Sequence, residues 1–213
     1  MRKFSTLILV FISLSSFAFE GMVKVQYKQF NGTSDKYDFV WNFKDVKCAL
    51  SMTLLNGEVA AKTTFIPDIA NNQLLIFAQD PSVSEKIFYN IPVTNINGAA
   101  SKTTMQHTGQ IKDIAGVNCE QYIFKSENNT CEVWIAKSIS IDWKQLASFF
   151  KTSTAIQAMA EHSIVGFPME VLDKNEQGLI IESSQTTEVA TNKQSDAVFV
   201  VPSDYKAQAV ENK

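Results

Sequence analysis

The residues best suited to chemistry are three cysteines and two histidines, and two of the cysteines share one stretch, IAGVNCEQYIFKSENNTCEVWIAK, residues 114–137. His107 and His162 stand far apart in sequence, with no H-x-x-x-H pair and no C-x-x-C. A zinc site needs three or four ligands at defined spacing, which these residues do not offer. A redox thiol needs a basic neighbour to hold its thiolate, and none is evident. Gly109 and Gly116 are isolated, so no glycine-rich phosphate loop exists, and G-x-S-x-G is absent. The acidic pairs Asp35/Asp38 and Glu170/Asp173 have the spacing of surface residues. DKNEQG (Asp173–Gly178) lacks the full ligand series of a calcium loop and reads as a solvated turn between strands. The sequence therefore predicts no catalytic residue, no metal and no cofactor: a protein that is not an enzyme.

The cysteines leave a structural question. Taking Asn128-Asn129 as a two-residue hairpin turn pairs Ser126 with Cys131 and Phe124 with Val133. Cys119 then lies roughly 24 Å along the strand from the partner position of Cys131, and on the opposite face. A disulfide needs Cα atoms within about 7 Å, so Cys119–Cys131 is disfavoured. Cys48, on the apolar face of its own strand, can pair with Cys131 or with Cys119. Three buried thiols remain the other reading.

Such residues need elements to hold them, and most of the chain reads as strands. In KYDFVWNFK, Tyr37, Phe39, Trp41 and Phe43 share one face. In VKCALSMTL, Val46, Cys48, Leu50, Met52 and Leu54 do the same. GMVKVQYKQF alternates as well, Asn31-Gly32 and Asn56-Gly57 mark turns, and EVAAKTTFI follows. Further strands are expected at QLLIFA, KIFYNIPV, both sides of Asn128-Asn129, GLIIESSQTTEVA and AVFVVP. One region breaks the alternation. Between Ser140 and Ser163 there is no glycine or proline, and Trp143, Leu146, Ala147 and Phe150 follow helical spacing behind a Ser140 N-cap. Thr154 with Gln157 reads as a capping box for a second helix carrying Ile156 and Met159. The expected fold is α+β and mainly β: a curved antiparallel sheet, an incomplete barrel, covered by a helical insert at about 140–163.

The N-terminus has the form of a cleavable export signal over residues 1–18. Arg2 and Lys3 precede a short apolar run, and Ser16-Phe17-Ala18 precedes an expected cut after Ala18. The mature chain is then expected in the periplasm or secreted, as one half-barrel domain over 19–205 with a frayed tail over 206–213. No later stretch is apolar enough for a transmembrane helix. Removing Arg2 and Lys3 from the 19 basic residues leaves 17 against 22 acidic ones, scattered along the chain. That pattern excludes the basic stripe of a nucleic-acid binder. Apolar residues are in surplus on the insert: Trp143, Phe149, Phe150, Ile156 and Met159 exceed one narrow helix stripe. They read either as core or as the wall of a cavity that takes a lipid or other hydrophobic ligand.

FEGMVKVQY, IAGVNCEQY, EVWIAK, GFPMEV and FVVPSDY occur in that order. The chain thereby resembles a bacterial exported family classed as a domain of unknown function, whose fold is similar to the lipoprotein carriers LolA and LolB. The resemblance spans about residues 19–205. It implies an incomplete barrel closed by helices, and it carries over no catalytic residue. The function expected is a soluble exported binding protein with a hydrophobic ligand between sheet and helices. The alternative is a structural or protein-interaction module of the cell envelope.

Overall fold

The computed structural model describes residues 19–30, 34–55, 62–80, 84–95 and 102–208. The expected leader and the Asn31-Gly32 and Asn56-Gly57 turns lie outside the described residues. Six strands come first: β1 (Gly21–Phe30), β2 (Ser34–Lys44), β3 (Lys47–Leu54), β4 (Lys62–Asp68), β5 (Gln73–Gln79) and β6 (Ile87–Pro92). Then follow β7 (Thr104–Ile114), β8 (Val117–Lys125) and β9 (Asn129–Ala136), the insert with helix α1 (Thr154–Glu161), β10 (Phe167–Asn175), β11 (Ile180–Ala190) and β12 (Lys206–Gln208).

All twelve form one curved sheet in the order β12-β6-β5-β4-β3-β2-β1-β11-β10-β9-β8-β7. Two antiparallel meanders are thus joined where β1 pairs with β11. The outer strands β12 and β7 do not meet, so the barrel stays open. β12 pairs parallel to β6, so Lys206–Gln208 belongs to the sheet although sequence reading places a frayed tail there.

Alternation sets the faces. Val23, Val25 and Tyr27 of β1 oppose Trp41, Phe39 and Tyr37 of β2, and all point to the concave side. The tight turn between β7 and β8 is built on Ala115 and Gly116, both with positive φ, and the Asp113 carboxylate accepts from the Gly116 N–H at 3.0 Å. Glycine is favoured in that conformation.

The insert covers the concave side, but it differs from two consecutive helices. Ile139, Ile141 and Trp143 alternate into the core, and Asp142 bridges Val165 in extended conformation. Period-2 burial defeats helix formation there, so Ser140 caps nothing. A turn over 143–146 leads into a short 3-10 turn at Ala147–Phe149. Helix α1 alone is α-helical among the described residues. Its N-cap is Ser153, whose hydroxyl accepts from the Ile156 N–H. Gln157 forms no capping box with Thr154. Its amide instead donates to the carbonyls of Ala147 and Phe150, at 2.7 and 3.2 Å, locking the 3-10 turn onto the helix.

Trp143 is the pin of this insert. It is fully buried, packs edge-on to Trp41 at 5.6 Å between ring centroids, and donates from Nε1 to the Gly166 carbonyl at 2.8 Å. Gly166 has to be glycine: a Cβ there would sit 2.6 Å from Ile135 and 2.9 Å from the Ala136 carbonyl. The AVFVVP segment is no strand. Asp196–Phe199 makes a 3-10 turn, with Asp196 held by Lys44 and Lys47 at 3.1 and 2.7 Å. Phe199 then packs with Ala49, Ile66 and Phe77, covering the convex side of β3–β5.

Candidate functional site: a cavity under the insert

The concave face is filled at one end and hollow at the other. At the filled end Trp41, Phe43, Trp143 and Phe167 interlock with centroids 5.6–6.5 Å apart. At the other end a partly open cavity of about 550 Å³ lies between the sheet and the insert. That is the size of an ordinary small-molecule site, which spans about 300–1,000 Å³. One wall is apolar: Phe39, Trp41, Leu50, Met52 and Phe65 from the sheet, with Phe150 and Ile156 from the insert. The insert residues are placed by the Gln157 clasp and the Ser153 cap. Phe150 meets Trp41 edge-on at 5.0 Å.

The five residues proposed from sequence therefore divide. Phe149, Phe150 and Ile156 line the cavity. Trp143 and Met159 are fully buried in the packed end and do not reach it.

The other wall is polar, and sequence reading missed it. Tyr27, Gln29, Tyr37, Asp173, Glu182 and Ser184 line it. Asp173 of β10 pairs directly with Glu182 of β11 in the antiparallel register. Asp173 is only 3% exposed, which corrects its reading as a surface residue in a solvated turn. It accepts from the Thr154 side chain and the Lys174 N–H, while its Oδ1 has no hydrogen-bond partner among the described residues. Burial raises its pKa above the ordinary carboxyl value. Glu182 is raised as well, first by burial and then by the neighbouring Asp173, although it accepts a hydrogen bond from the Tyr27 hydroxyl. Tyr27 is pushed well above an ordinary phenol by burial and by Glu182. A signal was available: Met169, Val171 and Asp173 share one parity in GFPMEVLDKN, which puts Asp173 on the inward face once that segment is a strand.

The three cysteines are free thiols, all buried, so no disulfide forms. The hairpin register explains part of this. Residues 126–129 make a four-residue turn, so Cys131 opposes Phe124 and not Ser126. Cys48 on β3 and Cys131 on β9 are five strands apart in the sheet. Cys119 opposes Lys112 of β7 and its Sγ donates to the Val117 carbonyl at 3.3 Å. Burial pushes the Cys119 thiol up to about 11 and raises Cys48 and Cys131 too, the reverse of an activated thiolate.

The histidines make structural contacts. His107 stacks on Tyr122 at 4.6 Å, and the His162 ring bonds the Thr103 hydroxyl at 3.0 Å. Among the described residues no three histidine, cysteine, aspartate or glutamate side chains gather as a metal set. No helix among them is long and apolar enough to cross a membrane.

The chain belongs to the DUF4412 family, a domain of unknown function, which it matches over residues 19–205. No curated protein matches it. Among solved structures, an uncharacterized conserved protein from Thermus thermophilus is similar with a TM-score of 0.51 at 7% identity, over 90% of this chain and 91% of that one. This likeness supports the fold alone. A chain of the Pseudomonas aeruginosa MucA/MucB complex aligns with a TM-score of 0.49 at 10% identity, over 86% of this chain and 56% of that one. PNGF-II aligns with a TM-score of 0.42 at 13% identity, and this chain spans only 31% of its length. The family and the open, helix-covered sheet are those that the ordered motifs implied. Those motifs have structural jobs: Gly116 turns β7 into β8, Glu132-Val133-Trp134 lies in β9, Gly166 lets the insert approach Ile135, and Phe199 covers the convex face.

Proposed function

We propose that this DUF4412 protein is an exported, non-catalytic binding protein that holds a hydrophobic ligand between the concave sheet and the insert. The single observation carrying this reading is the cavity of about 550 Å³ walled by Phe39, Trp41, Leu50, Phe65, Phe150 and Ile156. Apolar side chains left without packing partners forfeit dispersion contacts and stay poorly hydrated, so an apolar guest gains on entering. Trp41 lines the wall and also touches the packed core, so its emission reports occupancy.

Gentle purification followed by lipid extraction and mass spectrometry should recover a co-purifying amphiphile. A delipidated sample should bind an environment-sensitive apolar dye saturably, with a change in tryptophan emission. Met52→Trp, which fills the cavity from β3, should abolish that binding while leaving the protein folded. Consistently empty protein that binds no dye, or dye binding unchanged in Met52→Trp, would overturn the reading.

A second reading, an envelope interaction module, rests on β7. Among the described residues this eleven-residue strand ends the sheet with no strand on its outer edge, and Ile111 on it is 71% exposed. Exposed edges of that kind pair readily with another chain. Crosslinking in cells that yields a stoichiometric protein partner, lost when Ile111 becomes lysine, would favour this reading over ligand storage.

A further inference from the structure

Resting on the cavity reading above, we propose that its polar end recognises the protonated amine of an amphiphile whose hydrocarbon tail lies against Trp41, Phe65 and Phe150. The two walls of the cavity differ in kind. The apolar one offers no hydrogen bond, which suits a tail. The polar one offers acceptors: Asp173 and Glu182, paired across β10 and β11, with Gln29 and the hydroxyls of Tyr27, Tyr37 and Ser184 around them.

Asp173 gives the direction of recognition. It is only 3% exposed, it lines the cavity, and its Oδ1 lacks a hydrogen-bond partner among the described residues. Leaving a buried acceptor unpaired is costly, so a ligand donor is the natural complement. Glu182 accepts from Tyr27, which leaves acceptor capacity on a carboxylate with about four lone-pair sites. No lysine, arginine or histidine is among the described residues that line the cavity, so nothing in it neutralises two adjacent carboxyls. An ammonium group carries three donors and one positive charge, which would offset the charge of Asp173 and Glu182 together and donate charge-assisted bonds to Glu182, with Asp173 Oδ1 reached on a turn of its side chain. A carboxylate, sulfate or phosphate head would meet like charge from Asp173 and Glu182 and no cationic side chain. A neutral hydroxyl would supply one donor without the charge.

The test uses isothermal titration of the purified, delipidated protein at pH 7.5 with submicellar dodecylamine, dodecanol, dodecanoate and ethylamine. Dodecylamine should bind at least tenfold tighter than dodecanol, and dodecanoate more weakly than either. Ethylamine should bind far more weakly than dodecylamine, because it lacks the tail. In Asp173→Asn and in Glu182→Gln the advantage of dodecylamine over dodecanol should shrink at least fivefold, with dodecanol affinity retained. Retained dodecanol binding also certifies that each variant is folded. Dodecylamine binding no tighter than dodecanol, an advantage that survives in both variants, or ethylamine as tight as dodecylamine would overturn the amine assignment and leave the apolar cavity standing. Saturable binding of none of the three long-chain probes would instead overturn the cavity reading beneath it.

Discussion

The two ends of the concave face are built from the same strands and the same alternation, yet they do opposite work. At one end β1 and β2 present Val23, Trp41 and Phe43, and the insert closes over them with Trp143 and Met159, all buried. A few residues along the same strands, β1 and β2 present Tyr27, Gln29 and Tyr37, and β10 and β11 add Asp173 and Glu182. There the insert roofs a hollow. The difference teaches that the packed end supplies stability while the hollow end is free to carry polar groups. Those groups weaken the fold and therefore need another reason to be there.

The sharpest way to break this comparison is to empty the packed end. Trp143→Ala removes a fully buried indole and its bond to Gly166, and should cost about 3–5 kcal/mol in chemical denaturation. A loss under about 1 kcal/mol would show that Trp143 is no pin. Phe150→Ala, on the cavity wall, should cost less, about 1–2 kcal/mol, because Phe150 is only partly buried and faces the cavity. Equal losses at Trp143 and Phe150 would erase the distinction between the two ends.

Changing the carboxyls should act with the opposite sign. The folded pKa values of Asp173 and Glu182 lie above their ordinary values of 3.8 and 4.5. The native state therefore keeps protons that the unfolded chain has lost. Stability from these groups is full below the ordinary values and is lost as pH rises through the raised ones. Asp173→Asn cannot ionise, so its stability relative to the parent should rise between pH 4 and pH 7.5, by on the order of 1 kcal/mol. Thermal unfolding of both proteins at the two pH values measures this. A variant that differs from the parent by the same amount at both pH values would show that folding does not raise the Asp173 pKa.

The smallest effect concerns the thiols. Reduction should leave the intact mass unchanged. A small alkylating reagent should label Cys48, Cys119 and Cys131 only at the rate of global unfolding, because all three are buried with raised pKa. Fast native labelling of Cys48, which lies beside the packed end, would mean that this end opens.

Much of this was legible where burial is one-sided. Tyr37, Phe39, Trp41 and Phe43 fall on the concave face because alternation is all that a strand needs to sort its faces. The insert was half legible. Its residues were found, yet Ile139, Ile141 and Trp143 obey period 2 while Trp143, Leu146 and Phe150 also fit period 3.6, and only packing chose between them. The hairpin kept its place but shifted register, since Glu127 and Asn128 stand at its centre, one residue earlier than Asn128-Asn129, and the Ser126 N–H donates to the Asn129 carbonyl. The carboxyl pair was not legible as a pair. Asp173 and Glu182 stand on two strands in a turn-rich, charged stretch that resembles any solvated hairpin.

By itself the sequence determined the strand-rich class, the segments that form most strands and the apolar face of each. Hydrophobic alternation is a local property, written residue by residue. Only the tertiary structure decided which apolar residues touch and which stand apart. Phe150 and Trp143 are alike in sequence, but one faces a void and the other fills one. The same holds for Asp173, whose acidity depends on the curvature that brings β10, β11 and the insert around it. Packing density and electrostatic environment are sums over neighbours distant in the chain, and no local pattern encodes them.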